Sequence, residues 1–451
     1  MIDADIFKAN DIRGIYPDQL NEEAARRIGA AAVRRFGVSQ VVVGRDMRLS
    51  SPALHDALVE GITAQGADVV DLGMVSIDEV YFASGQYRYP LGVMITASHN
   101  PPQYNGLKFC LAGAVEVGAA EGLDDVKGLV LGGTLLAPAA RRGSVTERDV
   151  REDYVRKVRS SINPTKLRPL TIAVDAGNGM AGTTVPAAFK GLPITIEPLY
   201  FEPDGHFPHH MASPIEPRNM VDLQALVRRT GADLGAAFDG DADRMFLTDE
   251  RGAIVDGSML AALVARALLR KNPGATIVYN TVVSRCVPEL VERMGGHAVR
   301  ARVGHAFMNE AMHAHDAIFG AEHSGHFYFR DFWDADSGLI ALMNALEVIA
   351  EEGQPVSTLI SSLCARVRSG EINSDVADIP AALDRVKKAF PDGQLDELDG
   401  VTITYPDWWL SVRPSNTEPL LRLNVEADSK DLMEQKRDEA LQVIRQRVAA
   451  R

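Results

Sequence analysis

The sequence predicts three related α/β domains with mixed or parallel sheets, followed by a C-terminal α+β domain. The first observation is a repeated order of an apolar, β-branched run, a turn rich in Gly, Asp or Asn, and a helix-like stretch, which indicates βαβ units. The second is the length of 451 residues, which fits three or four domains with cores of their own. The third is a different pattern near the end of the chain, where strand-like runs lie between two helical stretches.

The three α/β units are spread over the first 300 residues. Their sequences are VSQVVVGRDMRLSSPALHDALVEGI (38–62), LTIAVDAGNGMAGTTVPAAF (170–189) and ATIVYNTVVSRCVPELVERMG (275–295). In the first unit we expect a strand over 40–43 and a helix from about Ser51. Because few residues match between the units, the internal repeat is weak in the sequence itself.

The domain boundaries are predicted from changes in local composition. A charged connector leads into an amphipathic helix within 141–162, a hairpin-like segment turns into a helix near 257, and a polar stretch lies near 367. The last domain is expected to have a helix over 380–390, two strands and a closing helix with Ser429 as its N-cap. We therefore predict four domains, over 1–145, 146–253, 254–366 and 367–451.

Composition and charge argue against several classes of protein. The formal net charge of −14 argues against a nucleic-acid surface, and an anionic ligand would need a dedicated basic pocket. The three cysteines include no CxxC pair, so neither a disulfide framework nor a cysteine zinc site is expected, and a reducing compartment is the simpler interpretation. The N-terminus has no signal-peptide pattern and no apolar run reaches about 18 residues. We expect a cytoplasmic protein without a membrane span.

An acidic loop follows one of the apolar strands. In LGAAFDGDADRMFLTDE, Asp239, Asp241 and Asp243 stand at alternate positions. Three carboxylates this close repel one another unless a cation lies among them, and hard oxygen ligands suit Mg²⁺ or Ca²⁺. An EF-hand is not predicted, because Arg244 stands where that loop needs glycine. A solvated acidic turn is the structural alternative, but a DxDxDR pattern after a buried strand favours a metal site.

A serine-bearing loop follows another apolar strand. The run LGVMI leads into TASHNPPQYNGLKF (96–109), in which Ser98 and His99 precede two prolines and Lys108 follows. Alone, this stretch is equally typical of a capped surface turn. However, Mg²⁺ keeps part of its coordination shell for phosphate oxygens, so the aspartates require a phosphate from elsewhere in the chain. A phosphorylated Ser98 would supply it, and Arg244 would neutralise part of its charge.

Two further loops offer polar groups for a phosphorylated sugar. The segment WLSVRPSNTEPLLRLNVEA has donors suited to a phosphate dianion, from Arg413, Ser415, Asn416 and Thr417. The segment AIFGAEHSGHFYF has groups suited to sugar hydroxyls and proton transfer, from Glu322, His323, Ser324 and His326. Each of these loops alone is also typical of a polar turn. Near the N-terminus, Arg13 in KANDIRGIY alone is typical of a surface ion pair.

Taken together, these residues resemble the α-D-phosphohexomutase superfamily, and most closely its phosphomannomutase/phosphoglucomutase branch. The stretches NDIRG, TASHNPPQYNGLKF, DGDADR, GAEHSGH and RPSNTEP occur in the family's order and extend from residue 10 to about 419. The resemblance implies three related α/β domains around a central cleft and a C-terminal phosphate-binding domain. It also implies small-molecule hexose phosphates as partners of a monomer or homodimer.

The resemblance gives a role to each motif. Ser98 would be the phosphoserine that carries the phosphoryl group between turnovers, and one of its phosphate oxygens would join the three Mg²⁺ ligands, Asp239, Asp241 and Asp243. Glu322 and Ser324 would bind sugar hydroxyls. The substrate's own phosphate would be bound by Arg413, Ser415, Asn416 and Thr417. Six further side chains would surround the transferring phosphoryl group or assist proton transfer: Arg13, His99, Lys108, Arg244, His305 and His326.

The implied reaction interconverts hexose 1-phosphate and hexose 6-phosphate through a hexose 1,6-bisphosphate, which would also serve as activator. Mannose and then glucose phosphates are the expected sugars, because the glucosamine-phosphate branch usually has glycine in place of Asn416 and glutamine in place of His323. A phosphoglucosamine mutase is the alternative within the superfamily. A metal-dependent sugar-phosphate phosphatase or kinase would not need the Ser98 and Arg413 loops. A silent binding protein would be expected to lose Ser98 or an aspartate.

Overall fold

The computed structural model describes residues 2–132, 137–415 and 420–446, which form four β-sheets with their helices. The first three sheets are mixed, and the fourth is antiparallel throughout its described strands. This architecture agrees with the predicted fold class. Within the described ranges, no helix is both long enough and apolar enough to cross a bilayer.

The first sheet combines four parallel strands with an antiparallel edge. Its elements are β1 (Ile12–Ile15), α1 (Glu22–Phe36), β2 (Gln40–Arg45), α2 (Ser51–Ala64), β3 (Asp68–Met74), α3 (Ile77–Gln86), β4 (Leu91–Ile95), β5 (Tyr104–Leu111), β6 (Val115–Glu116), α4 (Asp124–Leu131) and β7 (Val145–Glu147). The strand order is β1-β5-β4-β2-β3-β7, with β6 paired to β5. Strands β4, β2, β3 and β7 are parallel, and β5 returns antiparallel to β4. Strand β2 and helix α2 confirm the predicted first unit.

The second and third sheets follow the same plan. The second has α5 (Arg151–Arg159), β8 (Leu170–Asp175), α6 (Ala181–Phe189), β9 (Ile194–Leu199), α7 (Val221–Thr230), β10 (Leu234–Phe238), β11 (Met245–Thr248) and β12 (Ile254–Val255). The third has α8 (Gly257–Lys271), β13 (Thr276–Asn280), α9 (Cys286–Arg293), β14 (His297–Ala301), α10 (His305–Ala314), β15 (Phe319–Ala321), β16 (Phe327–Phe329), β17 (Ala335–Asp336), α11 (Gly338–Glu352) and α12 (Val356–Leu363). Their strand orders are β12-β11-β10-β8-β9 and β14-β13-β15-β16-β17.

One strand topology therefore occurs three times. Three parallel strands are followed by an antiparallel neighbour, in the orders β3-β2-β4-β5, β9-β8-β10-β11 and β14-β13-β15-β16. Each domain thus has an equivalent loop after its last parallel strand, at 96–103, 239–244 and 322–326. These three loops hold the serine, the aspartates and the candidate sugar-binding residues. The repeat is clear in topology although the loops have different side chains.

The C-terminal sheet is built differently. Its elements are β18 (Val367–Arg368), β19 (Ile372–Asp375), α13 (Ile379–Ala389), β20 (Gln394–Asp396), β21 (Val401–Thr404), β22 (Trp408–Pro414), β23 (Leu420–Ala427) and α14 (Lys430–Arg445). The strand order is β18-β23-β22-β21-β20, with β19 also on β23. The backbone N–H of Leu432 donates to Ser429 Oγ at 3.3 Å, which confirms the predicted cap of the closing helix. The candidate phosphate loop joins β22 to β23.

Apolar packing separates the last domain from the others. One cluster of buried side chains extends through the first three domains and includes Val80, Ile172 and Leu342. The C-terminal domain has a cluster of its own around Trp408 and Val425. Polar contacts join it to the third domain: Arg300 donates to Asp396 Oδ2 at 2.5 Å, and Thr281 donates to Asp399 Oδ2 at 3.1 Å.

Two cysteines form a pair that the sequence analysis did not predict. Cys286 at the start of α9 and Cys364 just after α12 are joined by a disulfide, with 5.6 Å between their Cα atoms. Cys110 is free and buried. The pairing depends on the packing of two helices whose cysteines are 78 residues apart in sequence, and spacing alone does not reveal such a contact. A single disulfide corrects the expectation of reduced cysteines.

Candidate active site

Ser98 is held in a strained turn after β4. Its backbone has a φ of 47°, in the left-handed region, which costs a non-glycine residue about 1–3 kcal/mol. The N–H of Ser98 donates to Thr96 Oγ1 at 2.9 Å, and Ser98 is only 4% exposed. Strain of this kind persists where surrounding groups fix the backbone, which is common at functional sites.

The hydroxyl of Ser98 faces the acidic loop of the second domain. It donates to Asp239 Oδ2 at 2.7 Å and accepts from Arg244 Nη2 at 3.2 Å. The two loops approach closely at Gly240, where an added Cβ would lie 2.4 Å from the carbonyl oxygen of Ser98. A glycine is therefore required for this contact, and the predicted meeting of the two motifs exists in the structure.

The three aspartates form a fully buried cluster. Carboxylate oxygens of Asp239, Asp241 and Asp243 lie within 4.8 Å of one another. Asp241 Oδ1 and Asp243 Oδ1 have no hydrogen-bond partner among the described residues, which is costly for buried carboxylate oxygens. Burial, together with the charge of Asp243, raises the pKa of Asp239 to about 8. A hard divalent cation would coordinate the unpaired oxygens and would also stabilise the ionised form of Asp239. The three carboxylates therefore fit Mg²⁺.

Two cations stand next to the aspartates. Lys108 Nζ lies 2.8 Å from Asp243 Oδ2 and 3.3 Å from Asp241 Oδ2, and Arg244 Nη2 lies 2.9 Å from Asp239 Oδ2. Burial opposes the charge on Lys108, but the carboxylates of Asp241 and Asp243 hold its pKa well above its usual value. Lys108 therefore provides positive charge beside the aspartate cluster.

Arg13 and His99 complete the serine side of the site. Arg13 Nη1 donates to Ala97 O at 2.9 Å and to the side-chain oxygen of Asn100 at 2.5 Å, while Nη2 pairs with Asp11. Arg13 thus makes the ion pair typical of its motif and also holds the serine loop. The charge of Arg244, which contacts His99 Nδ1, and burial keep the pKa of His99 well below its usual value.

The third domain contributes two histidines that are each held by a carboxylate. His326 Nδ1 lies 2.5 Å from Asp336 Oδ2, and His305 Nδ1 lies 3.1 Å from the carboxylate of Glu116. The two imidazole rings are 4.3 Å apart between centroids. The atoms of His305, His326 and Asp336 that could bind a metal ion lie within 4.8 Å of one another. The hydrogen-bonded pairs His305–Glu116 and His326–Asp336 already account for this grouping.

The candidate sugar-binding loop is fixed through Glu322. This buried carboxylate accepts from the hydroxyl of Tyr328 at 2.6 Å and from Asn280 Nδ2 at 3.0 Å. Ser324 lies two residues further on and is half-buried. These contacts leave Glu322 pre-positioned as an acceptor, which suits sugar hydroxyls.

The C-terminal domain presents Arg413 at the end of β22. Arg413 is 5% exposed, and a carboxylate oxygen of Glu371 lies 3.7 Å from its Nη2. Burial lowers the pKa of Arg413, and Arg413 Nε has no hydrogen-bond partner among the described residues. Ser415 Oγ accepts from Arg422 at 3.2 Å. Asn416 and Thr417, predicted for the same loop, lie outside the described residues.

A cavity of about 200 Å³ joins the first three domains. It brings together seven predicted residues, Arg13, Ser98, His99, Lys108, Arg244, His305 and His326. It does not include Glu322, Ser324, Arg413 or Ser415. Of the five other lining residues, Asn10, Asp11 and Phe109 lie within the motifs. Tyr81 and Glu116 were not predicted, because no local motif marks them and their partners are distant in sequence.

Fold and site together define a four-domain α/β protein whose serine hydroxyl faces a candidate divalent-metal site. Family models match four successive segments: the phosphoglucomutase/phosphomannomutase alpha/beta/alpha domains I (4–126), II (152–252) and III (256–367), and the C-terminal domain (371–443). The chain belongs to the phosphoglucomutase/phosphomannomutase family, whose members are intramolecular phosphotransferases of the isomerase class.

Sequence and structural matches to known proteins extend over nearly the whole chain. A protein of Xanthomonas campestris named phosphohexose mutases is 40% identical and covers 93% of this chain and 94% of its own. An Escherichia coli phosphomannomutase is 39% identical, with the same coverage of both chains. The solved structure of a phosphoglucomutase/phosphomannomutase family protein from Burkholderia thailandensis has a TM-score of 0.88 at 35% identity and covers 98% of both chains.

The aspartate cluster predicts a measurable metal affinity. Replacing Asp241 by asparagine removes one charged oxygen ligand, so we expect Mg²⁺ affinity to fall at least tenfold, or about 1.4 kcal/mol. Isothermal titration calorimetry of the purified protein measures this change. Asp249→Asn is the matched control, because an asparagine oxygen can still accept from the backbone N–H groups of Arg251 and Ala253. Equal Mg²⁺ affinity in both variants would contradict the assignment.

Proposed function

We propose that this protein is a phosphohexomutase that interconverts hexose 1-phosphates and hexose 6-phosphates, with mannose phosphates preferred and glucose phosphates also accepted. The observation that carries the proposal is the Ser98 hydroxyl, 2.7 Å from Asp239 Oδ2 within the buried aspartate cluster. The names of the matched relatives support the choice of sugar. A cytoplasmic location and a monomeric or dimeric state stay predictions.

In the proposed transfer, the P–O bond at Ser98 Oγ breaks and a new P–O bond forms to a sugar hydroxyl, which loses its proton to a neighbouring base. The serine oxygen leaves as an alkoxide next to Arg244 Nη2, 3.2 Å away, and takes up one proton to become the free hydroxyl, so that the proton count balances. Mg²⁺ bound by the aspartates would neutralise charge on the transferring group. Lys108 and Arg244 provide fixed positive charge at the same place. The protein's task in such a reaction is mainly positioning and charge neutralisation, and this cluster of buried charges suits both.

His326 is the proposed acceptor of the sugar proton. Burial and the neighbouring charge of His305 hold the pKa of His326 well below its usual value, so the ring is neutral before transfer. The negative charge of a substrate phosphate group between the two rings would stabilise the proton on His326 during transfer. Its Nδ1 faces Asp336, which leaves Nε2 as the nitrogen available to substrate.

The substrate's other phosphate would bind to the Arg413 loop. A buried guanidinium whose Nε has no described hydrogen-bond partner is suited to a phosphate dianion, and Ser415 lies on the same loop. Because one loop binds the non-reacting phosphate, the hexose 1,6-bisphosphate must turn over between the two transfers. Each end of the sugar then faces Ser98 in turn.

A coupled assay tests the proposal with mannose 1-phosphate, glucose 1-phosphate and glucosamine 1-phosphate, each with a trace of hexose 1,6-bisphosphate. We expect kcat/KM for the first two to exceed that for the glucosamine compound by roughly tenfold or more. A preference for glucosamine 1-phosphate would favour the phosphoglucosamine mutase alternative. Release of inorganic phosphate without any hexose 6-phosphate would favour a phosphatase.

A further inference from the structure

Glu116 is a charged residue of the cleft that belongs to none of the motifs. It ends the short strand β6 of the first domain, and its carboxylate lies 3.1 Å from His305 Nδ1 at the start of α10 in the third domain. Glu116 Oε1 also accepts from the hydroxyl of Tyr81 at 2.7 Å. The side chains of Glu116 and His305 are 22% and 19% exposed, so both are largely shielded from water.

The charges around this pair favour its ionised form. Burial alone would lower the pKa of His305, but the Glu116 carboxylate raises it to about 10. Burial alone would raise the pKa of Glu116, but the charge of His305 lowers it to about 2. The other titratable groups that act on the pair are His326 and Glu322 on the loop after β15, Tyr328 on β16, Asp336 on β17, Tyr81 on α3 and Lys108 on β5.

We propose that Glu116 is a positioning residue, which fixes the ring of His305 and keeps it an imidazolium cation at the wall of the cleft. This inference rests on the proposed function, because the cation would attract a phosphate group of the substrate. It also explains the neutral state of His326, since a second positive charge 4.3 Å away from the first between ring centroids is unfavourable. Glu116 thereby sets the charge of one histidine and, through it, the charge of the other.

The substitution Glu116→Gln separates this role from a merely structural contact. Glutamine has nearly the same shape and can still accept from Tyr81 and His305, but it has no charge. In this variant burial still lowers the pKa of His305, and the charges of Asp336 and Glu322 still raise it, so we expect His305 to ionise near its ordinary pKa of about 6.5. It would be cationic at pH 5.5, as in the original protein, and neutral at pH 8.5, where the original protein still has the cation.

The first readout is the titration of His305 by ¹H–¹⁵N NMR of histidine side chains, with the signal assigned by its loss in His305→Gln. We expect His305 to stay protonated up to at least about pH 9 in the original protein and to titrate near pH 6.5 in Glu116→Gln. An unchanged titration in Glu116→Gln would overturn the proposal. This readout needs no substrate, so its result does not depend on whether the proposed function is correct.

The second readout is the pH dependence of kcat/KM for mannose 1-phosphate. The ratio of Glu116→Gln to the original protein is expected to be within about threefold of unity at pH 5.5 and to fall at least tenfold by pH 8.5. A ratio that does not change with pH would show that Glu116 acts only through packing, and would overturn the proposal.

Two further variants control the experiment. Tyr81→Phe removes the other hydrogen bond to Glu116 but keeps the carboxylate, so His305 should still titrate above pH 8.5. Glu116→Asp keeps the charge on a shorter side chain and replaces Glu116→Gln if that variant does not fold; His305 should then titrate above pH 6.5. Tyr81→Phe and Glu116→Asp both keep a carboxylate at position 116. If His305 titrated near pH 6.5 in either of them, the proposal would be overturned.

Discussion

Replacing Ser98 by alanine is expected to reduce mutase activity by roughly 10³-fold or more, because the proposed phosphoryl carrier is lost. The Ser98 hydroxyl is the group that contacts both Asp239 and Arg244. Intact-mass spectrometry offers a second measure: a phosphate adduct of about 80 Da should be present on the original protein after incubation with hexose 1,6-bisphosphate and absent from Ser98→Ala.

The control for this prediction is another serine outside the cleft. Ser362 is exposed on α12 and donates to Leu359 O, so Ser362→Ala should keep both the adduct and the activity. An adduct of equal size on Ser98→Ala would show that another residue carries the phosphoryl group. Full activity of Ser98→Ala would contradict the proposed reaction itself.

The parts of the site that the sequence predicted are those marked by local motifs. Ser98 and the three aspartates each follow an apolar strand, and the charge repulsion among the aspartates indicates a cation even without a structure. Their contact across 141 residues then follows from the repeated topology, which places the two loops at equivalent positions of neighbouring domains. The chemistry of a phosphorylated serine and an acidic metal site indicates a link between Ser98 and the aspartates, and the fold brings them together.

The residues that the sequence did not predict are those whose role depends on a partner that is distant in sequence. Glu116 is an ordinary glutamate near a glycine-rich turn until His305, 189 residues later, is placed beside it. Cys286 and Cys364 are similarly separated. The repeat of three domains was only weakly visible because strands need an apolar pattern rather than particular residues. Tertiary contacts, rather than local preferences, decide all of these features.

Arg48 is the most informative of the residues that were not predicted. Its side chain is fully buried, and its guanidinium donates to three backbone carbonyls of the serine loop and to one at the start of β5. These acceptors are Ser98 and Asn100 at 2.7 Å, Pro101 at 2.9 Å and Tyr104 at 3.0 Å. Arg48 Nε also pairs with buried Asp46 at 3.2 Å. A planar fork of five donors can serve several acceptors at fixed angles, which a single ammonium cannot. Arg48 therefore holds the strained backbone of Ser98 in place.

Replacing Arg48 by methionine is accordingly expected to destabilise the first domain by about 3–5 kcal/mol, because it leaves the buried Asp46 charge without its ion-pair partner and removes the hydrogen bonds to the four carbonyls. Arg48→Lys keeps the charge and most of the volume but cannot reach all four carbonyls. We expect it to cost less stability, while activity still falls by roughly 10–100-fold because Ser98 is no longer held in position.

Hydrogen exchange measured by mass spectrometry can locate this effect within the chain. Peptides that cover 96–104 should lose protection in both Arg48 variants, whereas peptides from β13 and β22 should not, since the effect is local to the serine loop. Arg45→Met is the matched control: Arg45 lies at the end of β2, three residues before Arg48, and donates to none of the four carbonyls. If Arg48→Lys kept both the protection of 96–104 and full activity, the turn itself would suffice to hold Ser98. The left-handed φ of Ser98 would then be maintained without Arg48, by contacts such as those of Thr96 and Arg13.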